Sequence, residues 1–289
     1  MKIRYAIPAL AAAAALALTG CSNADAESGA TEGSESSPGN ITTVEDIMES
    51  GVLILATDAE YPPNEFKDDS GQPTGWGVEL ANALAEEMGL EPEWEIMGFD
   101  SILPRIEEGV VNVGASSFTD NVERQKTVDF VNYLNAGSQW AALAGTDIDP
   151  ENACGLTIAV QQGTIQHTDE LPARDKACTD AGEASIEILP FDGQPEVTNA
   201  VVNGQADAFS ADSPVTGDAV IKTGDQLVLV GELFDAAPYG FAVQKESGMA
   251  EAVQEALQAL IDNGTYLKIL TDAGIESGAL TEATINAGA

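Results

Sequence analysis

Three polar side chains stand where a ligand would meet them. Asp58 follows the apolar run Val52-Leu53-Ile54-Leu55-Ala56, Ser117 follows Val110, Val111 and Val113, and Asp212 follows a strand-like segment over 206–210. A short, fully apolar run reads as a buried parallel strand. In open α/β sheets, ligands bind beyond the carboxyl ends of such strands. The spacing repeats: Gly109 to Ser117 is eight residues, and so is Gly204 to Asp212. Each half of the chain thus uses one helix–Gly–strand unit to present a polar residue. The loop Gln161-Gln162-Gly163-Thr164 follows a further strand, Ile158-Ala159-Val160. The pattern describes polar groups converging on a cleft between two similar lobes. A single histidine, His167, leaves little room for a multi-histidine metal site or a Ser-His-Asp triad, and reads as a solvated helix residue.

The elements that must position these groups are legible from periodicity. Leu80, Leu84 and Met88 share one face of a helix over 78–88 that Gly89 stops. Trp94 and Ile96 alternate like a strand. Ile102, Leu103 and Ile106 lie on a helix closed by Gly109, and Val197, Ala200 and Val201 on one ended by Gly204. Strands alternating with helices predict parallel sheets. Val253, Leu257, Leu260 and Ile261, then Tyr266, Leu267 and Leu270, mark two helices with no strand cluster of their own. They are expected to pack back on the first lobe. That makes the lobes 41–135 with 240–289, and 136–239, with crossings near residues 135–137 and 238–242.

Charge narrows the partners. The 289 residues carry 48 acids, 11 bases and a formal charge of −37, with 44% hydrophobic and 20% charged residues. That is a globular composition, not a disordered acidic polymer. So negative a surface repels phosphate backbones and anionic lipid heads, so no nucleic-acid partner is expected. Lys2 and Arg4 precede the apolar run from Ala6 to Leu18, an export signal too short to span a bilayer. Leu18-Thr19-Gly20-Cys21 resembles the bacterial lipobox, which implies cleavage after residue 20 and lipid on Cys21. Removing 1–20 takes away two bases and no acid, leaving −39. Residues 21–40 hold Ser, Gly and acids without large apolar side chains and read as a flexible tether. With Cys21 lipidated, Cys154 and Cys178 remain, an even pair in an oxidising compartment that is expected to form a disulfide.

The sequence then resembles a family along nearly its whole body. Thr57-Asp58-Ala59-Glu60-Tyr61-Pro62-Pro63-Asn64-Glu65-Phe66 with Gly75-Trp76-Gly77-Val78-Glu79-Leu80, then Phe99-Asp100-Ser101-Ile102-Leu103-Pro104, resemble its opening blocks. Ser116-Ser117-Phe118-Thr119 with Glu123-Arg124-Gln125-Lys126 and Val128-Asp129-Phe130 resemble the most diagnostic one. Gln162-Gly163-Thr164, Ala206-Asp207-Ala208, Asp212 and Gly264-Thr265-Tyr266 follow in order. The family is the extracellular solute-binding proteins of family 3, the polar amino-acid receptors of ABC importers.

The resemblance implies an α/β, two-lobe periplasmic-binding-protein-like fold of type II. Each lobe is a mostly parallel sheet flanked by helices, with the ligand in the inter-lobe cleft. It implies that Arg124 grips the ligand carboxylate, as a planar fork can do bidentately. Asp212 takes the α-ammonium group, with Ser117, Thr119, Thr164 and Ile165 adding contacts. The residues from Gln162 to Ile165 should open a helix whose N–H groups meet the carboxylate. Tyr61 and Phe99 flank the ligand side chain, and Asp58 and Glu60 stand beside Tyr61. Asn64 replaces an aromatic common in the family, and Ile165 replaces a common Thr. No base accompanies Arg124, which favours a cationic or polar neutral amino acid over an acidic one. The implied partners are that amino acid, an ABC permease with its ATPase subunit, and a membrane through the Cys21 lipid. No cofactor or metal is implied. A cyclohexadienyl dehydratase-like enzyme shares the fold and is the alternative. The acidity reads as adaptation to high salt or high pH outside the cell. If salt is the reason, the melting temperature rises across a salt series.

Overall fold

The computed structural model describes residues 42–289, so the signal 1–20, Cys21 and the tether 21–40 lie outside the described residues. After α1 (Val44–Ser50), the strand β1 (Val52–Thr57) carries Leu53, Leu55 and Ala56 into full burial. Three short strands, β2 (Glu60–Tyr61), β3 (Glu65–Lys67) and β4 (Pro73–Thr74), follow as a small separate sheet. The helix α2 (Trp76–Glu87) then buries Leu80, Ala81 and Leu84, the face its period predicts. β5 (Glu91–Ile96), α3 (Phe99–Glu107) and β6 (Val113–Thr119) complete the unit. β5 and β6 flank β1, both parallel to it.

One strand starts later than its apolar run. Val110 and Val111 donate their backbone N–H groups to the Arg105 carbonyl, so they close α3 rather than extend β6. Val110 is left 40% exposed. Asn112 carries the pairing instead, its Oδ1 accepting the Ile54 N–H at 2.8 Å.

β7 (Val128–Leu143) leaves this lobe, and the chain builds a second one. It consists of β8 (Thr157–Gln161), α4 (Leu171–Asp180), β9 (Glu187–Phe191), α5 (Gln194–Val202), β10 (Ala208–Asp212) and α6 (Ser213–Lys222). β11 (Leu227–Gln244) returns, antiparallel to β7 along its length, from Leu227 opposite Leu143 to Gln244 opposite Val128. Among the described residues the sheet order is β5-β1-β6-β11-β7-β10-β8-β9. Each lobe therefore has three parallel strands, β5-β1-β6 or β10-β8-β9, joined by one antiparallel pair. The β7–β11 ladder shifts register between Val230 and Phe234, between Phe234 and Ala237, and at Tyr239/Gly240, where the strands pass from lobe to lobe.

α7 (Met249–Asn263) and α8 (Thr265–Asp272) bury Leu257 and Leu270 in one apolar cluster with Leu53, Leu80 and Tyr133 of the first lobe. A strand that periodicity did not reveal follows: β12 (Ala279–Ile285) pairs with β7. It buries only Ala283, so its sequence carries no apolar alternation to announce it.

Cys154 and Cys178 form a disulfide that ties the approach to β8 to the end of α4. Closing a loop across 24 positions is worth about 3 kcal/mol by restricting the unfolded chain. Replacing both cysteines by alanine should lower denaturant-measured stability by that order. Affinity should be unchanged, because the bridge lies away from the strand ends.

Candidate functional site

Between the lobes lies a narrow cavity. Its walls are Tyr61, Phe99, Ser117, Thr119 and Arg124 from the first lobe, with Gln161, Thr164, Ile165, Gln166 and Asp212 from the second. The structure thus brings together every expected binding residue except Asp58, whose carboxylate stands one layer behind and is bonded to Gln161 of the wall.

Arg124 follows the end of β6. Its Nη1 donates to the Thr119 carbonyl at 2.8 Å and its Nη2 to the Gly163 carbonyl of the other lobe at 3.1 Å. The guanidinium lies 5.7 Å from the Phe99 ring centre and 5.5 Å from that of Phe118. Among the described residues it has no ion-pair partner. Its enclosure lowers the pKa to about 10, opposed by attraction to Asp212, so it stays charged at neutral pH. Three of its five N–H donors remain unspent.

Asp212 ends β10 and precedes α6, yet its side chain does not cap that helix. It accepts instead from Tyr239 Oη at 2.6 Å and Gln166 Nε2 at 2.7 Å. Its backbone N–H donates to Tyr61 Oη at 3.1 Å, a bond between lobes. Burial raises its pKa, while these donors and Arg124 hold it down. Tyr61 itself comes from the first lobe but packs in the apolar cluster of the second, with Ala159, Val197 and Phe209.

Ser117 sits in β6 with φ +50°, a left-handed conformation that is strained for any residue with a side chain. Its hydroxyl accepts from Asn64 Nδ2 at 3.0 Å and donates to Glu65 Oε1 at 2.9 Å. Asn64 also accepts from Trp76 Nε1 at 2.8 Å. Its polarity therefore supports Ser117 from behind and does not face the cavity. Ile165 remains in the wall and is the N-cap of the helix that the residues from Gln162 to Ile165 open, first as a π turn over Gln166–Glu170 that leads into α4. His167 is turned back on this loop, its Nδ1 accepting the Gly163 N–H at 3.2 Å.

A second acidic group is buried here. Asp58 accepts from Gln161 Nε2 at 2.6 Å and Ser116 Oγ at 3.0 Å. Desolvation lifts its pKa to about 6, against those hydrogen bonds. Glu65 is 1% exposed, and burial aided by Asp58 and Asp212 pushes its carboxyl well above the usual range. Gly77 leaves the room for it, because a side chain there would begin 2.0 Å from Glu65 Oε1. Glu60, by contrast, is exposed and paired to Lys67. Glu65, Gln161 and Gln166 are the functional candidates that sequence reasoning missed. The two glutamines flank the Gly163-Thr164 motif, a usable signal, whereas Glu65 is one acid among 48.

Unpaired buried atoms mark what the cavity lacks. Glu65 Oε2, Gln161 Oε1 and Gln166 Oε1 have no hydrogen-bond partner, nor do the two amide atoms of Gln194 at the start of α5. Such groups are rare in native interiors and call for an explanation. The three oxygens at or just behind the cavity wall are acceptors, so a donor-rich guest would satisfy them. No group of His, Cys, Asp and Glu with metal-site geometry occurs among the described residues.

Fold and site together define a two-lobe protein with a small polar cavity between its lobes. The chain matches the bacterial extracellular solute-binding proteins, family 3, over residues 53–272, and belongs to that family. The arginine-binding protein ArgT of Corynebacterium glutamicum is 43% identical over 244 residues, covering 84% of this chain and 80% of that protein. Among solved structures, an ancestral arginine-binding protein bound to arginine superposes with a TM-score of 0.70 at 32% identity, covering 77% of this chain and 97% of its own. An ancestral amino acid-binding protein, AncCDT-1, described as a precursor of cyclohexadienyl dehydratase, gives 0.71 at 31% identity, covering 79% and 97%. These relatives are amino-acid-binding proteins. No helix among the described residues is long and apolar enough to cross a membrane.

The Asp58 pKa has a stability consequence. A folded value of about 6 against 3.8 means that ionising Asp58 opposes folding. The penalty is absent below 3.8 and complete above about 6. At full size it is on the order of 3 kcal/mol. Asp58→Asn should raise the unliganded melting temperature at pH 7 by on the order of 5 °C. The gain should shrink as pH falls from about 6 and vanish well below pH 3.8, as a melting series across pH would read.

Proposed function

We propose that this protein is the substrate-binding lipoprotein of an ABC importer and that its ligand is a cationic amino acid, arginine foremost. The observation that carries the reading is the polarity of the cleft: among the described residues, Arg124 keeps guanidinium donors without a partner, and Gln161 and Gln166 in the same wall keep unpaired acceptor oxygens. Arg124 takes the α-carboxylate and Asp212 the α-ammonium group. Tyr61 and Phe99 hold the aliphatic stem and lend their ring faces to the cation. Asp58 supplies the negative charge, while Gln161 and Gln166 offer the unpaired oxygens. A guanidinium carries five donors and satisfies several acceptors at once. ArgT, named as an arginine-binding protein, and the ancestral protein bound to arginine agree with this reading.

The lobes, residues 41–135 with 240–289 and residues 136–239, would close as a hinge about the register shifts of β7 and β11. The four bonds of Gln161 to Asp58, Arg124 to Gly163, Asp212 to Tyr61 and Gln162 to Asp100 all cross between lobes and would form on closure. The closed form would then be read by a permease with its ATPase subunit, with lipid on Cys21 holding the receptor to the extracytoplasmic face of the membrane. The dehydratase-like alternative keeps one point in its favour: Glu65 and Asp58 are buried carboxyls with raised pKa, the type of group that general acid–base catalysis uses. An Arg124 and Asp212 pair occupied by one amino acid favours binding without turnover.

A calorimetric screen of the twenty amino acids and ornithine should place arginine tightest and yield no product. Tightest binding to glutamate, or release of a transformed ligand, contradicts the reading. Arg124→Lys should weaken arginine binding by about tenfold or more with the fold intact, because an ammonium cannot replace a bidentate fork. Affinity should also depend on pH. A bound cation favours the Asp58 carboxylate, which starts at about 6. Affinity should therefore fall as pH drops from 7 to 5, and stay level above 7.

A further inference from the structure

The C-terminal residues make an unusual number of bonds close to the cleft. After β12, Asn286 adopts a left-handed conformation, φ +52°, and turns the chain. Its side chain accepts from the Phe130 N–H at 2.8 Å and donates to Asp129 at 2.9 Å. The Ala287 N–H donates to Asn132 Oδ1 at 3.1 Å. The Gly288 N–H donates to Asp120 Oδ2 at 2.9 Å, and the Gly288 carbonyl accepts from Gln125 Nε2 at 3.0 Å. Asp120 is fully buried and also accepts from Gln125 at 2.7 Å and Asn132 at 2.9 Å. Its own N–H donates to the Pro238 carbonyl of β11.

Asp120 is therefore a junction of four segments, and its chain neighbours hold Arg124. The carbonyl of Thr119 receives Arg124 Nη1, and the side chain of Asn121 receives the Arg124 backbone N–H at 2.8 Å. Within its own lobe, the Arg124 guanidinium has no other hydrogen bond among the described residues. Its direction depends on where the 119–121 backbone sits, and residues 287–288 fix that backbone from outside. We propose that residues 286–288 act as a strap that, through Asp120, positions the Arg124 guanidinium for its carboxylate. The strap touches neither the cavity nor the ligand, so these are positioning residues. The inference rests on the amino-acid reading above for its ligand, though not for its mechanics.

Gly288→Val is the test. A side chain at 288 would begin 2.1 Å from the Asp120 carbonyl, so the strap must lift. Two readouts are taken on the full chain. Hydrogen exchange without ligand should speed up over residues 119–125 and stay unchanged in β1 and β8. Binding of L-arginine should weaken by about tenfold, as expected for a misaligned bidentate clamp. Binding of agmatine, which is arginine without its α-carboxylate, should not change. Unaltered exchange over 119–125, or equal losses for both ligands, overturns the proposal. If Gly288→Val does not fold, deletion of residues 287–289 is read in the same two ways. Failure of both to fold makes the segment merely structural and also overturns it. If the unmodified protein ignores L-arginine, the ligand reading falls, and exchange over 119–125 alone decides the strap.

Discussion

The structure turns on the Arg124 guanidinium, a half-buried positive charge without a counter-ion among the described residues. Removing a guanidinium from water costs several kcal/mol even after a protein relaxes around it. Here two carbonyl oxygens, two aromatic faces and a more distant Asp212 offset part of that cost. The two carbonyls come from different lobes, at the ends of β6 and β8. The arrangement explains why the fold needs both lobes: neither alone surrounds the guanidinium. It also explains why the strand ends matter more than the helices, which supply burial but few of the polar contacts.

The carboxyls around the cleft apply the same physics with the sign reversed. Asp58, Glu65 and Asp212 are all buried, and the charges of Asp58 and Asp212 add to the burial that raises the Glu65 carboxyl. Carboxyls crowded in this way are stable neutral or beside a cation, and unstable bare. A cleft that holds a guanidinium short of an anion and carboxyls short of a cation is complementary to a molecule carrying both charges. Stability is given up to hold that mismatch open, as binding sites commonly require.

Much of this was legible from residue order alone. The strands that deliver Ser117 and Asp212 announce themselves by apolar runs and stopping glycines, whereas the aromatic pair Tyr61 and Phe99 was legible only through the family resemblance. Glu65 was hidden because a chain of charge −37 gives no contrast to one more acid. What singles it out is burial against Gly77, a property of three-dimensional packing. Gln161 and Gln166 were read past because amides carry no charge and no period. The late start of β6 escaped because hydrophobicity cannot tell a strand from the closing turn of the preceding helix. β12 escaped because an edge strand with one buried residue has no pattern to read.

Tyr61 has a consequence for the empty receptor. Its ring belongs to one lobe and is housed in the apolar cluster of the other, at 5% exposure. Drawing it out into water would cost about 2 kcal/mol. If the lobes open and shut as proposed, that is a bias of about thirtyfold toward the shut arrangement, on the scale where 1.4 kcal/mol is tenfold. The ligand then has less of the equilibrium left to move, and its binding energy shows more fully as affinity. The same ring limits how sharply occupied and vacant receptors can differ in shape. A phenol lodged across the cleft thus sets the contrast of the signal as well as the tightness of the grip.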